Sequence, residues 1–198
     1  MARRYYDLTF TPSVVAAQER FGVAGPAARM AASEYPDTVL SEAEAEFLAE
    51  RDSFYMASVT HDGWPYLQHR GGPKGFLRVL DERTLAFADF RGNMQLLSTG
   101  NLADDGRVSL FFMDYPNRRR LKLMARAKVL AAADDPELVA RVEDPSYRAR
   151  IERVFVFTVE AFDWNCPQHI TPRFTVDEVA DLAGSPGGPF DHLTGNPS

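Results

Sequence analysis

A single cysteine, Cys166, stands in a chain of 198 residues. One thiol cannot close an internal disulfide, so packing alone must hold the fold, and a reducing compartment is the natural expectation. The same scarcity bears on metals. The histidines at positions 61, 69, 169 and 192 have no short ligand spacing, and one cysteine cannot complete a structural zinc site. No metal is expected. The chain also lacks any run of the roughly 18 to 20 apolar residues that a membrane helix needs, and its first residues show no charged-then-apolar secretory pattern. A cytoplasmic protein with no membrane partner is expected. Basic residues are the minority: 22 Lys and Arg face 28 Asp and Glu, and the net charge of −6 opposes long-range attraction to nucleic acid.

Two glycine clusters fail the nucleotide-loop tests. Gly71-Gly72-Pro73-Lys74-Gly75 has no Gly-Lys-Ser/Thr opening a helix, and no strand precedes Gly22-Val23-Ala24-Gly25. There is no internal repeat and no low-complexity block. What remains is the composition of one ordinary globular domain, 45% hydrophobic and 25% charged, long enough to bury a large core.

The first third reads as helical. Ser41-Glu42-Ala43-Glu44 is a capping box and predicts a helix to about Glu50. Ser13 to Phe21, stopped by Gly22, and Pro26 to Ala32 are two further candidates. No residue before Phe54 carries a catalytic signature. Residues 1–53 are therefore assigned to an N-terminal helical segment on a later sheet, 54–183 to the sheet and a closing helix, and 184–198 to a loose Gly- and Pro-rich tail.

From Phe54 the period changes to two. Leu85, Phe87, Val108, Leu110, Phe112, Leu121 and Leu123 recur at alternate positions within their runs, which places them on one buried face. Phe111, Phe112 and Met113 are read as filling. His61-Asp62-Gly63 and Asp81-Glu82-Arg83 are hairpin turns. Asn93 to Thr99 is read as a short helix ended by Gly100, and Ala103 to Gly106 as a loop. Pro136 to Arg141 and Ser146 to Glu152 are helix candidates, Val154 to Phe162 is a strand, and the capping box Thr175 to Glu178 opens a last helix.

Several segments carry chemistry. Asp89-Phe90-Arg91-Gly92-Asn93 sets a glycine ahead of a helix start, where amides and the helix dipole favour an anion, although a plain turn capped by Asn93 accounts for the residues as well. Gly71-Gly72 either admits a ligand to the backbone or marks a bend, and the bend is the simpler account. Arg118, Arg119 and Arg120 enter a strand, so neighbours face opposite sides; charge runs are more often solvated, yet guanidinium forks suit phosphate. Trp164-Asn165-Cys166-Pro167-Gln168-His169 packs an indole, two amides, a thiol and an imidazole into one constrained loop. Thiolate catalysis there needs a base in reach and an orienting partner. Cys166 is read instead as a buried or ring-adjacent thiol.

The order and wording of GWPYLQHRGGPKGF, TLAFADFRGNMQLLSTGN and RVSLFFMDYPNRRRLKLMARA resemble the pyridoxamine 5′-phosphate oxidase-like superfamily of FMN-binding split barrels. The likeness covers most of the chain. It is nearer to the flavin-nucleotide-binding branch, which shares a segment like FDWNCPQHITPRF, than to the oxidases proper, whose Ser-Arg-Lys phosphate turn is here Asn93-Met94-Gln95. The resemblance implies an α+β fold, an antiparallel split β-barrel with peripheral helices, that holds FMN between two subunits. It implies a homodimer and a flavin-dependent oxidoreductase of unidentified small-molecule substrate and electron donor. The cofactor contacts it implies are Gln68, His69, Arg70, Ala88, Asp89, Phe90, Gly92, Asn93, Gln95, Arg119, Arg120, Trp164, Asn165, Cys166, Gln168 and His169. His69 and His169 are the candidates for substrate-side proton transfer. A flavin carrier or sensor without turnover, or a barrel holding deazaflavin F420 or haem, are the alternatives.

Overall fold

The computed structural model describes residues 3–92 and 94–184. Four helices open the chain: α1 (Arg4–Thr9), α2 (Pro12–Arg20), α3 (Ala24–Ala31) and α4 (Glu42–Ala49). The strands β1 (Ser53–Val59), β2 (Pro65–Gly71), β3 (Arg78–Asp81) and β4 (Thr84–Phe90) follow, then α5 (Leu97–Asp104), β5 (Arg107–Asp114) and β6 (Arg119–Ala131). Helix α6 (Pro136–Val142), strand β7 (Ile151–Trp164) and helix α7 (Val176–Gly184) complete the described chain. The tail expected to be loose lies outside the described residues, apart from Gly184 at the end of α7.

The strands form one antiparallel 7-stranded sheet in the order β2-β1-β5-β6-β7-β4-β3. It curls until strands far apart in that order touch. Phe54 of β1 packs edge-on against Phe87 of β4 at 5.6 Å, and Arg70 of β2 reaches Asp89 of β4 at 3.2 Å. No backbone pairing joins β2 to β3 or β4 among the described residues. The barrel is closed by side chains and split in its backbone, the α+β split β-barrel implied by the sequence.

The period-two reading holds. Leu85, Phe87, Val108, Leu110, Phe112, Leu121 and Leu123 all lie in the main core, with Phe54, Phe76, Phe155 and Phe157 filling its centre. Phe111 and Met113 differ from expectation. Strand alternation turns them to the outer face while Phe112 is fully buried. Strand β7 shows little alternation because both of its faces are covered: Phe155 and Phe157 point into the barrel, Val154 and Val156 lie beneath α6, and Ala161 lies beneath α1.

Three local readings are corrected. The helix after β4 starts at Leu97 and runs through Gly100 to Asp104, because Leu102 and Ser98 are buried and their packing outweighs the roughly 1 kcal/mol cost of an internal glycine. The stretch from Ser146 to Glu152 is not helical. Asp144 accepts from the Ser146 N–H at 2.9 Å, a side-chain turn that competes with helix, and Ile151 already begins β7. Helix α1 was not anticipated at all. Its N-terminus is capped from a distance by Asp37, which accepts from the N–H groups of Arg4 and Tyr5 at 3.1 and 2.8 Å. The close approach at Gly72 is to protein: a Cβ there would meet the Phe76 ring at 2.7 Å, so Gly71-Gly72 is a packing bend.

Candidate functional site: an arginine-lined pocket beside the barrel seam

Strand β2 presents Tyr66, Gln68 and Arg70 on one side, half-buried, and Leu67 and His69 on the other, exposed. The first group faces the seam. Arg70 is fixed there by stacking, its guanidinium 4.9 Å from the Phe155 ring centre and 5.8 Å from that of Phe87. Burial, reinforced by Arg153, pushes the Arg70 pKa below its ordinary value, while Asp89 and Tyr66 oppose that shift. Asp89 lies opposite Arg153 in the β4–β7 register. Its Oδ1 accepts from Arg70 Nη1 at 3.2 Å, and its Oδ2 accepts from Arg153 Nε and pairs with Nη2, both at 2.8 Å.

The next turn forms the opposite wall. Met94 and Leu96 adopt left-handed backbone, φ 62° and 55°, on either side of Gln95. Non-glycine residues hold that conformation at a cost of order 1–3 kcal/mol, and such costs gather at ligand clamps. Leu96 is the N-cap of α5 and offers it no side-chain acceptor. The first turn of α5, Leu97 to Thr99, lines the same cavity and brings the positive end of a helix to it.

The cavity has a volume of about 200 Å³ and is lined by Gln68, Arg70, Asp89, Phe90, Gly92 and Gln95 with Tyr66, Met94, Arg153 and the start of α5. Inside it the Tyr66 hydroxyl donates to Gln68 Oε1, and Gln68 Nε2 donates to the His69 carbonyl at 3.2 Å. Whole-ligand pockets commonly span about 300–1,000 Å³. This one is smaller than that range and has room for a phosphate. Its residues fit such a group: paired guanidiniums, a helix terminus, and Arg70 Nε, a buried donor with no partner among the described residues.

Six of the residues expected from the sequence thus meet around one cavity: Gln68, Arg70, Asp89, Phe90, Gly92 and Gln95. Asn93 lies outside the described residues. Ala88 packs in the cluster beneath α6, and His69 points to the outer face, against Tyr55 at 5.6 Å. The late-chain group gathers elsewhere, at the end of the β6–β7 ladder where Leu121 faces Trp164; Arg153 is at the other end, facing Ala131. Arg118 sits in the preceding turn with φ 53°. Arg119 stacks over Trp164 and Phe47 at 4.7 and 5.2 Å, and Arg120 accepts through its carbonyl from the Asn165 N–H at 3.1 Å. Arg120 Nε and Asn165 Oδ1 are buried without partners among the described residues. Cys166 is exposed rather than buried, because it follows the strand end in a loop with Pro167, Gln168 and His169, all exposed. Arg153 was missed by the sequence reading. Its one signal is a charged pair directly ahead of an apolar run, Glu152-Arg153-Val154-Phe155-Val156-Phe157.

A split barrel with an arginine-lined pocket at its seam is the class of protein that fold and site define. A protein-family model described as pyridoxamine 5′-phosphate oxidase matches residues 40–165, and the chain belongs to that family. Among solved structures it is similar to HupZ of Group A Streptococcus, at 16% identity and TM-score 0.49 over 68% of this chain and 100% of that one. It is also similar to an FMN-binding protein of Syntrophomonas wolfei, at 12% identity and TM-score 0.42 over 61% and 81%. No curated protein matches it. No helix among the described residues is long and apolar enough to cross a membrane.

Proposed function

We propose that the chain is an FMN-binding flavoprotein, a homodimer that acts as an oxidoreductase on a small molecule. The observation that carries the reading is the seam pocket, where Arg70, Arg153 and the start of α5 surround a space with room for a phosphate. Arg70 and Arg153 would hold and neutralise the phosphate, Gln95 and Gly92 would border it, and Tyr66 and Gln68 would line the path away from it. A bound flavin supplies hydride or electron transfer, and the protein orients it and sets its electronics.

The second subunit is part of the reading. Leu67, Ala57, Ser109, Met124 and Ala161 form one cross-strand row on the outer face, and His69, Tyr55, Phe111, Lys122 and Asp163 form the next. Tyr5 and Tyr6 of α1 cover the β6–β7 end, packing on Ala161 and Met124, with Tyr5 over Lys122 at 4.7 Å. The β2–β1–β5 end is left bare, including Leu67 at 63% exposure and Tyr55 at 37%. A second copy of the same face is the self-complementary cover. In a dimer, Arg120 and the loop from Trp164 to His169 would serve the ring of the flavin seated in the other chain's pocket.

A flavin carrier without turnover is the second reading, favoured by the position of His69 on the face of β2 opposite Gln68 and Arg70. Purified protein should show a flavin spectrum and release FMN in stoichiometric yield on denaturation. Release of FAD, F420 or haem, or of no cofactor after incubation with FMN, would overturn the proposal. Reduction of the bound flavin by a nicotinamide donor and reoxidation by an acceptor separates the enzyme from the carrier.

A further inference from the structure

We infer that Asp89 limits the affinity of the seam pocket by occupying the guanidinium groups that a ligand phosphate needs. The inference rests on the phosphate site proposed above and concerns how tightly that site holds its ligand. Both carboxylate oxygens are engaged, Oδ1 by Arg70 and Oδ2 by Arg153, at 2.8 to 3.2 Å. The side chains of Asp89, Arg70 and Arg153 are 12%, 18% and 17% exposed, so solvent screens them weakly. Opposing charges at such separations interact far more strongly than they do in water.

The sign of the effect follows from the charges. Arg70 and Arg153 against Asp89 leave one net positive charge at the cavity wall; without the carboxylate there would be two. An entering phosphate dianion is repelled by Asp89 and competes with it for the guanidinium charge, because Asp89 already engages Arg70 Nη1 and Arg153 Nε and Nη2. Nor is Asp89 needed to keep the arginines in place. Arg70 is stacked on Phe155 and Phe87, and Arg153 is anchored on β7 with Glu152 Oε2 3.3 Å from its Nη2. Ligand entry is thus an exchange of an internal anion for an external one, and release lets the carboxylate return. The exchange favours a phosphate dianion over a singly charged carboxylate, because only the dianion more than replaces the charge it displaces.

Inorganic phosphate, followed by calorimetry, and FMN, followed by fluorescence quenching, are the probes. Asp89→Asn keeps the shape and one carbonyl acceptor but removes the charge; it should bind both probes about tenfold more tightly or better. Asp89→Glu, which keeps the charge, should not bind more tightly. In the parent protein, inorganic phosphate should shift the Nε–H resonances of both Arg70 and Arg153, a readout independent of any variant's folding. An Asn variant with parent-like melting and no gain in affinity would overturn the inference, as would unshifted arginine resonances at saturating phosphate. Tighter phosphate binding by the Asn variant with no FMN binding by either protein would leave the inference standing and sink the flavin reading. FMN bound by the parent and no tighter by the variant would do the reverse. If neither probe binds either protein, both fall.

Discussion

The indole N–H of Trp164 donates to Glu44 Oε1 across 2.8 Å, tying the last residue of β7 to the first turn of α4. Glu44 is buried, and its other oxygen accepts from the Ser41 N–H at 3.0 Å. The capping box seen in the sequence therefore has a second purpose. The glutamate that closes the helix start also holds the tryptophan on which Arg119 stacks at 4.7 Å, immediately before the loop that begins at Asn165. Tyr35 adds its hydroxyl to Glu44 at 3.4 Å, and Arg3 lies over the Tyr35 ring at 5.1 Å. The N-terminal segment thus braces the late-chain loop directly.

Trp164→Phe should destabilise the fold by about 1–3 kcal/mol, because it leaves a buried carboxylate oxygen short of a donor while nearly preserving ring packing. Denaturant unfolding of the two proteins measures this. A variant as stable as its parent would mean that the Glu44–Trp164 bond carries no net weight.

The same carboxylate gives a pH dependence of defined sign. Burial raises the Glu44 pKa, but hydrogen bonds from Ser41 and Trp164 outweigh it, and the folded value lies below the ordinary 4.5. A depressed folded pKa contributes stability above the unfolded pKa and loses it as pH falls through the folded value. Acid unfolding of the parent should therefore include a contribution lost below about pH 4.5. Ser41→Ala removes a donor and should move the acid midpoint upward; an unchanged or lower midpoint would contradict the assignment.

Arg70→Ala and Arg153→Ala should each weaken FMN binding about tenfold to a hundredfold, the usual effect of deleting a charged donor to phosphate. Arg120→Ala should also weaken it, through the second chain. Arg118→Ala, in the turn, serves as the mild control, and Arg119→Ala should lower stability more than affinity, since Arg119 stacks on Trp164 and Phe47. Titration of apo-protein decides. Parent-like affinity in both Arg70→Ala and Arg153→Ala would move the phosphate out of the seam.

What could be read from the sequence was whatever its local pattern encodes. The capping boxes at Ser41 and Thr175, the positive-φ glycine of the first hairpin and the alternating core all stand in the structure. Features fixed by distant partners were hidden. Helix α1 depends on Asp37 and the role of Arg153 on its register with Asp89, while the late start of α5 follows a left-handed backbone at Met94 and Leu96 that no glycine announces. The site divides the same way. Its β2 and β4 members meet because the sheet curls, whereas Arg119 and Arg120, adjacent in sequence, end in different environments at the far end of the ladder.

Leu67→Glu should convert a homodimer into a monomer and cost it flavin. The substitution places charge on the bare outer face, where each copy's Leu67 side chain meets apolar surface in the proposed pairing, and it leaves the barrel interior untouched. Light scattering at micromolar concentration reads the mass. A parent chain that is monomeric with flavin still bound would defeat the two-subunit site.

The exposed loop after β7 is predicted to touch the ring of the flavin rather than its phosphate. Gln168→Ala and His169→Ala remove donors from that loop, and Cys166→Ser replaces an exposed thiol with little change in volume. Phosphate contacts anchor a flavin, whereas hydrogen bonds around the ring set its electronics. These variants should therefore shift the absorption spectrum or reduction potential while retaining FMN. His169 carries an added constraint, its backbone held at φ 62°, so His169→Gly separates the imidazole from the turn it occupies. Loss of turnover in Cys166→Ser with unchanged spectrum, affinity and potential would argue for a nucleophilic thiol instead. If all the variants match the parent in spectrum, potential and rate of flavin reduction, the loop is structural and the ring is bounded by other residues.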